Sequence, residues 1–406
     1  MSLRKDAKFI YESAIRESLP DSAVKKALRD FVFPSGRLLL IAIGKAAWQM
    51  ASAAYDLLGN KVSGGAVITK YAHSRGAIGN LEIYEAAHPV PDENGIRATE
   101  RVLKLTEGLT EEDAVLFLVS GGGSALFEYV DFSLDDLSSV TKQMLASGAS
   151  IEEMNTVRKH LSGVKGGRFA EHILPAKIYA VVLSDIISSR LDMIASGPTV
   201  ADVSTSEEAL MIVDKYSLSL TQKQKELLRR ETPKRITNAE HIVSGSVREL
   251  CRSAAAAAES LGYKAYIMTD SMDTEARGAG ELIGSVAAKL AREAKEPTCL
   301  IFGGETVVHL RGNGLGGRNQ ELALSAARYI RGLDGVAVFS VGSDGTDGPT
   351  DAAGGYVDGA TFTAIERYDD YLDNNDSYAA LKISDGLIFT GPTGTNVNDF
   401  AAILIK

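Results

Sequence analysis

Gly303-Gly304-Glu305-Thr306, followed by Gly312-Asn313-Gly314-Leu315-Gly316-Gly317-Arg318-Asn319-Gln320-Glu321, holds the densest chemistry in this chain. The β-rich run Val307–Leu310 empties into a glycine loop, and a helical run from Glu321 to Tyr329 follows. Such a loop lets several amide N–H groups approach one anion, and a helix N-terminus and the Arg318 guanidinium would reinforce them. Gly314, Gly316, Gly317 and Asn319 are therefore candidate phosphate ligands, with Arg318 as a catalytic cation. The letters Gly312-x-Gly314-x-x-Gly317 also fit the dinucleotide fingerprint, with Asp344 after the next apolar run as its acid. Polar Arg318 and Asn319 stand where that motif packs its helix on the sheet. Phosphate or carboxylate binding, dinucleotide binding and a structural turn all stay open at this point.

Other loops offer complementary groups. Lys45 follows the apolar run Leu38–Ile43 and Gly44, at a helix start where the dipole disfavours a cation, so a phosphate contact competes with a solvated side chain. Ser120-Gly121-Gly122-Gly123-Ser124 leaves a strand with three glycines in a row. That costs conformational entropy and suits an N–H nest for an anion. Asn155–Arg168 gathers positive charge, with Arg158 as a candidate ligand, against the alternative of a solvated basic face. Asp185 ends a strand, where it can hold Mg²⁺, act as general base or merely cap a turn; Asp192 follows it. Asp344, Asp347 and Asp351 lie within eight residues, suited to a hard cation or a polyol, but lack the EF-hand order.

Phosphoryl transfer needs these parts together: N–H nests, a lysine and an arginine over phosphates, Mg²⁺ on carboxylates and a positioned hydroxyl. Gly-x-x-x-x-Gly-Lys-[Ser/Thr] is absent, as are Ser-His-Asp ordering and zinc-type Cys/His clusters.

These loops must be positioned by strands and helices. The expected strands are Leu38–Ile43, Gly65–Thr69, Leu81–Ala86, Ala114–Val119 and Ile178–Leu183. A later set is His241–Val243, Ala265–Met268, Thr298–Phe302, Val307–Leu310, Val336–Val341, Leu387–Phe389 and Ala401–Ile405. Helical patterns alternate with them, which indicates an α/β fold with a mostly parallel sheet. Ser150-Ile151-Glu152-Glu153 reads as a capping box opening a helix towards Leu161. At 406 residues, two domains are expected, and the charged stretch Thr221–Glu240 is the expected transition. A net charge of −10 argues against nucleic-acid and anionic-membrane partners. The apolar runs are too short to span a bilayer, and Cys251 and Cys299 read as reduced cytosolic thiols.

Lys45 after Gly44, His88-Pro89-Val90-Pro91-Asp92, Ser120–Leu126 and Asn155–Arg168 together resemble the class II glycerate 2-kinase family, also called the MOFRL family. Ser196-Gly197-Pro198-Thr199, Gly303–Leu324, Asp344–Gly359 and Thr390–Asp399 continue the match in order, over nearly the whole chain. The resemblance implies ATP- and Mg²⁺-dependent phosphorylation of D-glycerate to 2-phosphoglycerate in the cytoplasm, by a monomer or homodimer. It implies a larger N-terminal domain with a Rossmann-like, mostly parallel sheet (1–235), a smaller mixed-sheet domain (236–406) and an active site in the cleft. The family's proposed catalytic lysine and arginine match Lys45 and Arg318. Where the family has a glycine-acid-proline stretch, this chain reads Ile187-Ser188-Ser189-Arg190, which leaves Asp185 and Asp192, with Asp344, as candidate metal ligands. Relatives have carried hydroxypyruvate reductase labels, so an NAD(P)H-dependent reductase is the alternative.

Overall fold

The structure, a computed structural model, describes residues 2–29, 31, 35–183 and 190–406. Its contacts group the described residues into two compact units, one of residues 23–244 and one of residues 2–22 with 245–406. Asp185 lies outside the described residues, and no role for it rests on the coordinates.

In the first unit, β1 (Leu38–Ile43), β2 (Val62–Lys70), β3 (Leu81–Ala86), β4 (Ala114–Val119), β5 (Lys177–Leu183) and β6 (Ala239–Gly245) form one sheet. Their order is β3-β2-β1-β4-β5-β6, and β3-β2, β2-β1, β1-β4 and β4-β5 pair in parallel. Every residue of β1 and β4 is buried, as expected for parallel strands covered on both faces, which read as unbroken apolar runs. The chain lays down β1, β2 and β3 towards one edge, then returns to place β4 and β5 on the other side of β1. That reversal puts the loops after β1 and β4 at the point of the sheet where open α/β folds bind ligands. The strand order is that of dinucleotide-binding sheets.

The helix Ile151–Leu161 opens with the expected capping box, Ser150 accepting from Glu153 N and the Glu153 carboxylate accepting from Ser150 N. It ends before Gly163, so Arg158 and Lys165 do not share a helical face. The basic run is not a solvated face either. Lys159 is buried against Asp192 (3.5 Å) and Asp202 (3.2 Å). Lys165 has no exposed side-chain surface; it meets Glu128 at 2.8 Å and donates to Phe127 O at 2.8 Å. Replacing Lys165 with methionine should destabilise the chain by about 3–5 kcal/mol by stranding the Glu128 charge. Pairing it with Glu128→Gln should recover part of that loss, as read from urea midpoints.

The second unit contains β7 (Lys264–Met272), β8 (Thr298–Gly304), β9 (Val336–Gly342), β10 (Gly354–Asp358), β11 (Leu387–Ile388) and β12 (Asp399–Ile405). Their order is β11-β10-β9-β12-β8-β7. β7 and β8 are parallel, whereas β12 runs antiparallel to both β8 and β9. The helix Leu3–Glu17 belongs here because it packs on the helix Val247–Ser260, and Asp6 accepts from Tyr263 Oη at 2.6 Å. The boundary drawn from sequence after residue 235 thus differs from these units by strand β6 and by the first helix.

Two expected elements change. Val307–Leu310 is not a strand: Val307 makes a single bridge to Glu275, and Val307 and Leu310 are 47% and 80% exposed. Apolar, β-branched composition alone does not supply a neighbouring strand. Conversely, β10 is not among the expected strands. Its Gly354 lets the backbone of β9 approach so closely that a Cβ would sit 2.0 Å from Ser340 O.

Candidate active site

In the first unit, the β1 and β4 loops are stitched together by their own backbone. Lys45 N donates to Gly121 O (2.9 Å), and Ser120 Oγ accepts from Ala46 N (3.1 Å) while donating to Ile43 O (3.2 Å). Ser120 is buried and spends its single O–H donor on Ile43 O, so its side chain is a structural stitch with no donor left for an anion. The amides of Gly121, Gly122, Gly123 and Ser124, by contrast, meet no acceptor among the described residues. Gly122 holds a left-handed φ of +87°, and a Cβ there would lie 3.0 Å from His88 Cδ2 and 3.2 Å from Lys45 Cγ. The open amides, Lys45 and His88 are therefore immediate neighbours. The Lys45 side chain is exposed and makes no ion pair or hydrogen bond among the described residues. Burial, and then the Lys45 cation, push the His88 imidazole below its ordinary pKa, so it is neutral at pH 7.

The same cluster recruits a distant segment. Ser124 Oγ lies 3.1 Å from Ser196 Oγ, and Ser196 Oγ donates to Asn155 Oδ1 at 3.0 Å. His88, Ser196 and Asn155 were not singled out as site residues from the sequence. The signal was present in the His88–Asp92 and Ser196–Thr199 motifs, but only tertiary contact joins them to Lys45. Arg158 is half-buried, and its Nε has no hydrogen-bond partner.

In the second unit, the antiparallel run of β12 sets its first residue, Asp399, between the ends of β8 and β9, opposite Gly304 and Gly342. Arg318 opens the helix Arg318–Ala327 and meets Asp399 there, Nε to Oδ2 at 2.6 Å and Nη2 to Oδ1 at 3.2 Å. Its Nη1 donates to Glu305, just after β8. Burial works against the Arg318 charge, but Asp399 and Glu305 outweigh it and hold the guanidinium above its ordinary value. Burial pushes the Asp399 carboxyl up to about 6, against the pull of Arg318.

The glycine loop between Gly303 and Arg318 is built differently from its expected form. The amides of Arg311 and Gly312 donate to Asn375 Oδ1, that of Asn313 to Asn374 Oδ1, that of Leu315 to Asp376 Oδ1 and that of Gly314 to Asn374 O. At the helix start, Asn319 N and Gln320 N donate to the Asp347 carboxylate at 3.1 and 2.8 Å. The anion that this helix N-terminus attracts is the chain's own Asp347. Gly317 is required because a Cβ there would sit 2.3 Å from Asp347 Cγ. Gly314 and the buried, fully bonded Asn319 thus serve structure, in correction of the phosphate role expected from their spacing. Gly316 and Gly317 retain unbonded amides among the described residues. The dinucleotide reading also loses its leading strand, since β8 ends eight residues before Gly312.

The expected metal ligands separate. Both Asp192 oxygens face Arg190 (3.2 and 2.8 Å) and Oδ2 also faces Lys159, so two cations already neutralise it. Asp347 is buried and Asp351 accepts from Tyr378 Oη (2.8 Å). Asp344 is half-buried at the end of β9; one oxygen accepts from Thr346 N at 2.9 Å and the other is unbonded among the described residues. No group of three or more His, Cys, Asp or Glu side chains is placed to hold a metal among the described residues. Asp344 therefore fits Mg²⁺ only as a single carboxylate alongside phosphate oxygens, a mode this ion commonly uses.

The Asp399 value gives a pH prediction. Below about 6, Asp399 gains a proton and loses its hold on the Arg318 fork, so turnover should fall on an acid limb near that value. Stability should run the other way. The folded value lies above the ordinary 3.8, so protonation favours the fold and this contribution fades as pH rises through 6. Asp399→Asn should abolish that limb in a kcat/KM profile.

A Rossmann-ordered sheet with an open amide nest beside a partnerless lysine, together with a mixed sheet that anchors an arginine between carboxylates, defines a two-unit α/β protein equipped for anionic substrates. The chain belongs to the MOFRL family of glycerate 2-kinases. Residues 6–229 match a family described as a domain of unknown function (DUF4147), and residues 298–399 match the MOFRL family. It is 53% identical to D-glycerate 2-kinase of Thermotoga maritima, across 100% of this chain and 99% of that protein. It is 41% identical to glycerate 2-kinase of Pyrococcus horikoshii, across 91% and 88%. The crystal structure of Thermotoga maritima glycerate kinase superposes with a TM-score of 0.93 at 52% identity, covering 100% of this chain and 99% of that one. A Pyrococcus horikoshii crystal structure superposes with a TM-score of 0.96 at 38% identity over 100% and 99%. No helix among the described residues is long and apolar enough to cross a membrane.

Proposed function

We infer that this chain is a glycerate 2-kinase, which transfers the γ-phosphoryl group of ATP to the C2 hydroxyl of D-glycerate and yields 2-phosphoglycerate and ADP. The full-length identity of 53% to a D-glycerate 2-kinase carries this reading, and the chemistry of the two clusters supports it. We propose that the amides of Gly121–Ser124 bind phosphate or carboxylate oxygens, aided by Arg158, and that Lys45 and Arg318 both stabilise charge on the transferring group. A loose phosphoryl-transfer transition state asks little of a base, so positioning and electrostatics supply most of the rate. Mg²⁺, when bound, neutralises charge on the β- and γ-phosphates, and Asp344 would hold it, with Asp185 as the sequence-derived second candidate. The amides of Gly316 and Gly317 complete the proposed phosphate contacts. We place the protein in the cytoplasm as a monomer or homodimer acting on small molecules, without nucleic-acid or membrane partners.

ADP release that depends on both ATP and D-glycerate, with phosphorus NMR of the product, tests this directly. A 2-phosphoglycerate signal is expected. A 3-phosphoglycerate signal, or NADH oxidation by hydroxypyruvate without ATP, would overturn it.

A further inference from the structure

Behind the helix Ile151–Leu161 the first unit forms a cavity of about 370 Å³ that is open to solvent on one side. Its polar lining comes chiefly from His160, Arg168, Glu171, His172 and Arg230. None of these residues belongs to the Lys45 cluster. His172 meets Leu103 O at 3.0 Å, in the last turn of the helix Glu93–Leu105, and that turn leads into the start of β4. Lys45 and Gly121–Ser124 follow strand ends, so they stand at the other end of the sheet.

Three observations at this cavity lack an explanation in the chain itself. Arg168 is half-buried, its Nε is inaccessible and without an acceptor, and its guanidinium makes no ion pair or hydrogen bond among the described residues. Arg230 raises the cost of charging Arg168 and has no side-chain partner of its own among the described residues. Glu171, and less strongly Asp202, favour the Arg168 charge, but neither hydrogen-bonds its guanidinium among the described residues, so the N–H groups beside the cavity stay without an acceptor. Of the lining carboxylates, Asp131 is already paired with Lys223 at 2.8 Å, and Glu171 forms no ion pair among the described residues.

His160 is the third observation. Its side chain is fully buried, and Nδ1 lies 2.9 Å from Thr156 O. A carbonyl can only accept, so Nδ1 carries the hydrogen. Burial pushes the ring below its ordinary pKa, which keeps it neutral and leaves Nε2 as a bare acceptor. No donor among the described residues reaches Nε2; Glu231 Oε2, at 4.0 Å, is itself an acceptor. Buried polar atoms in folded proteins are nearly always satisfied, and one that is not points to a missing partner.

We propose that this cavity binds a small oxyanion that carries its own hydroxyl hydrogen, with its charge on Arg168 and Arg230 and its hydroxyl donating to His160 Nε2. Monohydrogen phosphate and a hydroxy-carboxylate share that chemistry. The site is separate from the kinase reaction and does not depend on it.

Calorimetric titration of the full chain carrying Lys45→Ala, which weakens phosphate binding at the other cluster, is run with and without Arg230→Gln, and the event that Arg230→Gln weakens is the one assigned to the cavity. Inorganic phosphate, D-glycerate and sulfate are the probes, at pH 7.5. Phosphate or D-glycerate should bind, and whichever gives the stronger signal identifies the class of ligand. Adding Arg230→Gln should weaken that event at least about tenfold, the usual effect of losing a charge-assisted hydrogen bond. Arg230 is exposed, so this variant keeps the fold. Sulfate has no proton to give His160 at this pH and should bind at least about tenfold more weakly than phosphate. The proposal fails if neither phosphate nor D-glycerate binds, if Arg230→Gln leaves the event unchanged, or if sulfate binds as well as phosphate.

Discussion

Replacing Lys45 with alanine should lower kcat by about 10²–10³-fold while the melting temperature stays near that of the parent chain. The second half of this expectation follows from how the residue is held. Its backbone is fixed by Gly121 O and by Thr69 Oγ1, which donates to Lys45 O at 3.3 Å, whereas its exposed side chain bonds to nothing among the described residues. Removing the ammonium group therefore removes chemistry and little else. Lys45→Arg keeps the charge but changes its shape and reach, so it should restore only part of the rate. Steady-state ADP release and thermal melts on the same preparations check both halves. Turnover near that of the parent would take Lys45 out of the mechanism.

Arg318→Ala should cost a similar factor of about 10²–10³ in kcat, but here the fold should suffer as well. The guanidinium has five N–H donors, and the structure uses three of them on Asp399 and Glu305. The remaining two N–H groups are available to phosphate oxygens, at an angle set by the carboxylate anchors. Without the arginine, Asp399 stays buried with no cation, so its carboxyl should move to still higher pH and the melting temperature should drop. Arg318→Lys separates the two roles. It keeps a charge near Asp399 but cannot form the two-pronged contact, so stability should largely return while kcat stays at least about tenfold low. Full recovery of kcat in Arg318→Lys would mean that only charge matters at this position.

Much of this protein was legible as one-dimensional pattern. The buried strands β1, β4, β8, β9 and β12 announce themselves because strands covered on both faces must be apolar throughout, and the Ser150 capping box because its contacts lie within four residues. The loops after those strands read as places where chemistry can collect, since strand exits in an α/β sheet are where backbone amides and polar side chains become accessible. The family resemblance added identity to that pattern.

Spacing could not say which glycine loop keeps its amides open. Gly312–Gly317 and Gly121–Gly123 look alike in sequence, yet in the first the amides of Gly312 to Leu315 are met by Asn374, Asn375 and Asp376, residues some 60 positions away, and only those of Gly316 and Gly317 stay open among the described residues. In the second the amides face His88 and Lys45 and stay free. The same limit applies to charge. Lys159, Lys165 and Asp192 looked like surface or ligand candidates until burial paired them with partners tens of residues distant. Hydrophobic period and capping are local properties, written in neighbouring residues. Whether a polar group is spent on the fold or left for a ligand depends on long-range partners, and only the tertiary structure brings those together.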